Sequence, residues 1–245
     1  VDKLMIKHWV IVGASGGIGL ALVKTLLAQG HHVSAISRQE AHTSIANMPD
    51  GALSWYKLSS AEQPEAANIF SAIFATEVDA VILCQGWLHG GGMLPEKNLR
   101  QLSRAALTQS LEINLINPSL YLQCMLPFLQ KQAGVKVALL SAKVGSITDN
   151  QLGGWYSYRM AKAALNMLVK CASIELARVN KTASLISLHP GTTATELSAP
   201  FQKNVPSGQL QTATDTALRL INVMNTLTQE QTGCLINWDG HKLPY

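Results

Sequence analysis

The chain has 245 residues, 47% of them apolar and 14% charged, with a formal charge of +4. This suits one α/β domain, or at most two small ones, with a large buried core. No stretch approaches the roughly 18 consecutive apolar residues that span a bilayer, no leader pattern opens the chain, and Lys and Arg are too scattered for a nucleic-acid or membrane surface.

Strand-like and helix-like segments alternate along the chain. Apolar runs of strand length fall at 9–13, 33–37, 53–58, 80–84, 136–141, 182–188 and 234–237. Helical patterns occupy 17–29, 61–75, 99–132 (two pieces or one kinked run), 155–179 and 212–227. This alternation predicts a doubly wound parallel sheet of about seven strands, with right-handed crossovers and helices on both faces. Runs such as Ala80-Val81-Ile82-Leu83 suit strands buried on both sides. No linker or repeat divides the chain, so 1–245 is expected to form a single Rossmann-type domain. Cys84, Cys124, Cys171 and Cys234 are far apart and read as reduced thiols in a cytoplasmic core. The histidines, His31-His32 among them, read as turn and surface residues, and no metal is expected.

The first strand, Trp9-Val10-Ile11-Val12, runs into Gly13-Ala14-Ser15-Gly16-Gly17-Ile18-Gly19 and then a helical pattern. Glycines at 13, 17 and 19 let the backbone approach a pyrophosphate, and the helix N-terminus offers free N–H groups. There is no Gly-Lys-Ser/Thr ending, which argues against a P-loop for ATP or GTP. A dinucleotide is therefore expected here. In an open α/β sheet ligands bind beyond the C-terminal strand ends. The glycine turn, Ser37-Arg38, Cys84-Gln85-Gly86, Ser141 and Pro190-Gly191 all fall at such ends. The second strand closes on Ser37-Arg38-Gln39 with no carboxylate at its end, and Glu40 lies beyond it. An acid there would bind the ribose hydroxyls of NAD(H), whereas an arginine accommodates a 2′-phosphate, so NADP(H) is expected over NAD(H).

Tyr158 and Lys162 are four residues apart in a predicted helix, one turn from each other. A free phenol has a pKa of roughly 10 and must move down by roughly 3 to exchange protons readily near neutrality. One ammonium at about 4 Å, at an effective dielectric of about 20, supplies the roughly 4 kcal/mol required. The spacing thus permits a tyrosine acid/base group. Tyr156 is a poor rival, since the residue four positions on is Met160.

Together the glycine turn and the Tyr-x-x-x-Lys pair resemble the short-chain dehydrogenase/reductase family in its one-domain form. The resemblance keeps its order along nearly the whole chain: Asn114 in Glu112-Ile113-Asn114-Leu115, then Ser141-Ala142-Lys143-Val144-Gly145, the Tyr158/Lys162 pair and His189-Pro190-Gly191-Thr192-Thr193-Ala194-Thr195. The stretches from Gly145 to Ile147 and from Gly153 to Arg159 look similar to the C-factor and sniffer-like carbonyl reductases. The resemblance implies hydride transfer between a nicotinamide and a carbonyl carbon. Tyr158 would exchange the proton, and Lys162 would acidify it and bond the ribose. Asn114 would anchor a water, aided by a helix distortion at Pro118. Thr193 and Thr195 would hold the carboxamide beside Pro190 and Gly191. Ser15, Gly16, Ile18 and Gly86 would line the cofactor, and a homodimer or homotetramer is implied.

Three departures stand out. The family's Ser-Ser-x-x-Gly places its catalytic serine where Ala142 stands, leaving Ser141 one residue early and Ser146 as the other hydroxyl. Adjacent strand residues face opposite sides, so Ser141 faces the site only through a bulge or a strand end. Ser141 is the preferred candidate, with Ser146 and neither as alternatives. The usual Asn-Asn-Ala-Gly is Leu83-Cys84-Gln85-Gly86, and the acid usual after the third strand is replaced by Ser59-Ser60. The segment 195–209, carrying Leu197, Phe201 and Val205, reads as a lid over the substrate or as a surface helix resting on the core. Trp155, Trp87 and Leu88 suggest a hydrophobic or aromatic carbonyl substrate. The competing expectation is a nucleotide-binding signalling or scaffold protein with little turnover, motivated by Ala142.

Overall fold

The computed structural model describes residues 6–45 and 51–245. The apolar run after Lys7 forms β1 (His8–Val12), and the glycine turn leads into α1 (Gly17–Ala28). β2 (His32–Ser37) and β3 (Leu53–Lys57) follow, then α2 (Ala66–Ile73) and β4 (Ala80–Leu83). The long middle helical pattern is one kinked run: α3 (Arg104–Leu111), a π-helical segment (Glu112–Ile116) and α4 (Asn117–Leu129). β5 (Lys136–Leu140), α5 (Tyr156–Val179) and β6 (Ser184–His189) continue the parallel sheet. Short β7 (Thr192–Thr193) and β8 (Leu210–Gln211) precede α6 (Ala213–Thr226), β9 (Leu235–Asn237) and β10 (Lys242–Leu243).

The main sheet has eight strands in the order β10-β9-β6-β5-β4-β1-β2-β3, one more than the seven expected. The extra strand, β10, is two residues long and antiparallel to β9, too short to show a period in the sequence. β7 and β8 form a separate parallel ladder that joins the two ends of the 195–209 segment. The chain order reverses between β1 and β4, so the crevice for a ligand opens beyond Val12 and Leu83.

Both faces of the sheet are buried, as its apolar runs require. On β1, Trp9 and Ile11 pack with Leu22 and Leu26 of α1 and Leu220 and Met224 of α6. Val10 and Val12 point the other way, toward Phe70, Met125, Leu165 and Val169 of α2, α4 and α5. Each such side chain, fully withdrawn from water, contributes roughly 1.5–3 kcal/mol to this packing.

Three smaller expectations change. α2 begins at Ala66 and not at 61, because residues before it form turns, with Gln63 Oε1 accepting from the Ser59 and Ser60 amides. His31 is buried, its ring tilted against Trp9 and its Nδ1 accepting from the Lys7 amide. Cys171 lies exposed on α5, while Cys84, Cys124 and Cys234 are half-buried free thiols. Among the described residues no helix is long and apolar enough to cross a membrane.

Candidate active site

The glycine turn is tied to the end of β2: the Gly13 and Ala14 amides both donate to Ile36 O, at 2.9 and 3.1 Å. Gly13 has a φ of +82°, a conformation that disfavours any side chain. α1 starts with no side chain capping its N-terminus, which leaves its first amides open to an anion. Gly19 faces the turn so closely that a Cβ there would lie 2.2 Å from Gly13 O and 3.0 Å from Gly13 C. Those are backbone atoms that cannot swing aside. Gly19→Ala is therefore expected to cost roughly 3 kcal/mol and to lower the thermal midpoint by about 6–12 °C. A melting curve followed by circular dichroism checks this.

A crevice of about 160 Å³ runs from this turn over the sheet, lined by Gly13, Ser15, Ser37, Arg38, Gly86 and Tyr121 among others. Ser37 Oγ donates to Ser15 Oγ at 2.8 Å and accepts from the Gln39 amide. Arg38 makes no salt bridge among the described residues, whereas Glu40 is paired with Lys57 at 2.7 Å. The carboxylate two positions on is thus engaged, whereas the guanidinium has no ion pair among the described residues. Gln85 Oε1 is buried without a partner in the same crevice. Open amides, a free cation, an orphaned acceptor and close-packed glycines together fit a phosphorylated dinucleotide. A larger concavity of about 640 Å³ lies at the opposite, N-terminal end of the strands, around His8, His32 and Asp79, and contains none of these groups.

α5 carries Tyr158 half-buried and Lys162 fully buried. The helical spacing brings Lys162 Nζ to 5.8 Å from the centre of the Tyr158 ring. Nζ also donates to the carbonyl of Leu140, the last residue of β5, at 2.7 Å. Gly145 packs on the backbone of Lys162, where a Cβ would come within 2.9 Å. The electrostatics differ from the simple expectation. Burial pulls Lys162 down to about 7 and pushes the Tyr158 phenol above its ordinary range. Desolvation disfavours both charged forms, and the ammonium loses its proton before the phenol would. The phenol hydroxyl has no hydrogen-bond partner among the described residues.

The sequence model described as short chain dehydrogenase matches residues 7–206. The chain belongs to the short chain dehydrogenase family. A curated relative, the 1-hydroxy-2-glutathionyl-2-methyl-3-butene dehydrogenase of Rhodococcus sp. (strain AD45), is 29% identical over 234 residues, covering 94% of this chain and 96% of that protein. Among solved structures, the carbonyl reductase Sniffer of D. melanogaster superposes with a TM-score of 0.82 at 21% identity, covering 98% of this chain and 100% of that one. An NADPH-bound carbonyl reductase from chicken fatty liver gives a TM-score of 0.78 at 23% identity, covering 99% and 100%. These structural likenesses establish the fold.

Within this chain the expected site residues fall into two groups. Gly13, Ser15, Gly16, Ser37, Arg38 and Gly86 share the crevice. Thr195 lies on the glycine turn, where a Cβ on Gly17 would meet its Cγ2 at 2.5 Å. Leu197 reaches over Gly86, with Cδ1 at 3.5 Å from such a Cβ. The start of the 195–209 segment therefore rests against the glycine turn and Gly86. Pro190-Gly191 turns with a φ of +78° at Gly191, against the Trp238 ring.

Ser141 and Thr193 do not face the site. The buried Ser141 hydroxyl donates to Asn166 Oδ1 at 2.7 Å, as strand alternation dictates, with no bulge to turn it round. Thr193 Oγ1 is paired with the buried Thr216 of α6 at 2.9 Å. Ser146 accepts from the Asp149 amide, and its own proton has no acceptor among the described residues. Asn114 sits in the π-helical segment, four residues before Pro118, which cannot donate to its carbonyl. Its side-chain amide is fully engaged. Nδ2 donates to Trp87 O and Ser110 O, and Oδ1 accepts from the Trp87 amide. Pro118 denies the carbonyl of Asn114 the donor that a regular α-helix would give it.

An aromatic wall beside Tyr158 was not assembled by sequence reasoning. Trp155 packs 6.4 Å from Tyr158 and 5.0 Å from Phe201, and the His89 ring stands edge-on to Phe201 at 5.9 Å. His89 Nε2 also pairs with Glu196 O at 3.1 Å, linking the loop after β4 to the 195–209 segment. These residues come from three distant stretches, so no local spacing relates them.

Proposed function

We propose that this dehydrogenase is an NADP(H)-dependent oxidoreductase that transfers hydride between nicotinamide and the carbon of a carbonyl or alcohol substrate. The observation that carries the reading is the approach of Tyr158 and Lys162 beside the end of β5, joined through Trp155 to Phe201 of the segment whose start lies on the glycine turn. The carbonyl reductase solved with NADPH points the same way for that protein. When bound, the cofactor supplies or accepts the hydride. The open amides at the start of α1 hold the pyrophosphate, and Ser37 and Arg38 hold the 2′-phosphate. Tyr158 gives its proton to the substrate oxygen in reduction and takes it back in oxidation. Lys162, when protonated, supplies the positive charge that favours the phenolate and bonds the ribose. The Asn114 carbonyl holds a water within that proton path, and Ser146 is the hydroxyl left to polarise the substrate oxygen. Thr195, Leu197 and Phe201 close the site from water. The aromatic wall of Trp155 and Phe201 fits a hydrophobic or aromatic carbonyl compound.

A panel of aldehydes and ketones, with NADPH oxidation as the readout, tests this. Oxidation of NADPH by at least one member is the expected result. Tight NADPH binding with no turnover on any member would favour the signalling or scaffold reading, for which the turned-away Ser141 speaks. Arg38→Asp is expected to lower the preference for NADPH over NADH by roughly 10–100-fold, the worth of one or two charge-assisted hydrogen bonds. An unchanged preference would remove the role given to Arg38.

Assembly and location belong to the same proposal. Met160, Met167 and Ile174 recur every seven residues on the exposed side of α5, a stripe suited to packing against a second copy. The free thiols suit a reducing cytoplasm.

A further inference from the structure

We propose that Glu96 is a positioning residue for Tyr158, capping the first turn of α5 from a separate loop. The inference rests on the role given to Tyr158 above. α5 starts abruptly after three residues in left-handed conformation, with φ of 63° at Gly153, 66° at Gly154 and 50° at Trp155. Trp155 is the one non-glycine with positive φ among the described residues. It is also the N-cap, and its side chain accepts nothing from the first turn. A buried helix start of this kind would leave amides without partners.

Glu96 supplies the missing acceptor. It is 3% exposed, in the loop between β4 and α3. Its Oε2 accepts from the Ser157 amide at 3.2 Å, and its Oε1 accepts from the Ser157 hydroxyl. Its backbone carbonyl accepts from the Trp155 amide, which pins the left-handed turn. Gly154 fits against the same carbonyl, where a Cβ would lie at 3.3 Å. No cation pairs with Glu96 among the described residues. Its carboxylate is instead held by a hydroxyl and by the positive end of a 24-residue helix.

The grip continues into the site. Ser157 O accepts from Ser110 Oγ at 3.1 Å, and Ser110 accepts from Asn114 Nδ2. Asn114 in turn holds Trp87, at the start of the loop that carries Glu96. This buried ring of bonds joins one loop to the π-helical segment and to the residue immediately before Tyr158. Trp155, fixed by the same contacts, packs against the Tyr158 ring. A loosened first turn would displace both.

Glu96→Ala removes the cap, and Glu96→Gln keeps an acceptor for the Ser157 amide. The measurements are kcat and KM for NADPH-dependent carbonyl reduction and hydrogen exchange of the amides of residues 156–159. In Glu96→Ala we expect kcat to fall by roughly 30–100-fold, the scale of a small misplacement of a reacting group, with the NADPH KM little changed. The 156–159 amides are expected to lose protection, and Glu96→Gln to restore most of kcat. Wild-type kcat with only a lowered melting temperature would overturn the proposal, as would unchanged exchange at 156–159. Should Glu96→Ala not fold, Ser157→Ala takes its place. The cap then predicts a several-fold loss of kcat and faster exchange in Ser157→Ala, and wild-type values of both refute it. If the wild type oxidises no NADPH with any carbonyl, the oxidoreductase reading fails. Exchange at 156–159 then decides separately whether Glu96 holds the turn.

Discussion

Tyr158→Phe is expected to lower kcat by roughly 10²–10⁴-fold, the usual worth of a positioned general acid, while the protein stays folded and keeps its affinity for NADPH. The phenol hydroxyl has no hydrogen-bond partner among the described residues, so its loss leaves none of their groups unsatisfied. The ring remains to pack against Trp155 and Lys162. A melting temperature within about 2 °C of wild type is the corresponding expectation for such a change. Steady-state kinetics and a melting curve on the same preparation check both halves. A variant that turns over at the wild-type rate would show that another group moves the proton.

Lys162→Met is expected to abolish most turnover and, under mildly acidic conditions, to stabilise the fold. Burial brings the ammonium down to about 7 from an ordinary value of 10.5. Its folded pKa therefore lies below its unfolded one. Below pH 7 both states are protonated, and the folded state bears the whole cost of a buried charge. Between 7 and 10.5 the unfolded chain binds more protons, so wild-type stability rises with pH through that window. Methionine has the length of the lysine stem and no charge, but it orphans the Leu140 carbonyl at a cost of roughly 1–3 kcal/mol. The two effects set the sign. Near pH 6 the variant is expected to be the more stable by about 1–2 kcal/mol, and by about pH 9 the order should level or reverse. Denaturant unfolding at the two pH values measures this directly. A variant less stable than wild type at both would show that the charge is better accommodated than its burial implies. The functional half follows from distance. A protonated Lys162, its Nζ over the Tyr158 ring at 5.8 Å from the ring centre, favours the phenolate over the neutral phenol.

Most of the architecture was readable from periodicity, because each parallel strand is a continuous apolar run flanked by helical patterns. The strand ends converged on one crevice for the same reason. Ser37, Arg38 and Gly86 came from position alone, since residues just past a strand's carboxyl end must face that edge. β10 escaped because two residues carry no pattern. Glu96 escaped because a lone acid in a loop reads as solvated, and nothing local signals that it caps a helix some sixty residues on. The aromatic wall has the same character, being built from stretches that meet only when the chain has folded.

The amino-acid sequence by itself determined the order of strands and helices, the glycine turn and the one-turn spacing of Tyr158 and Lys162. These follow from local rules: side-chain periods of two and 3.6, and the conformational freedom of glycine. Tertiary structure alone decided where the hydroxyls of Ser141 and Thr193 point and how the Tyr158/Lys162 pair is charged. Ser141 is drawn to Asn166, Thr193 to Thr216, and the buried Lys162 is pulled down to about 7. The orientation of a hydroxyl and the cost of a buried charge depend on neighbours far away in the chain, and spacing carries no information about either.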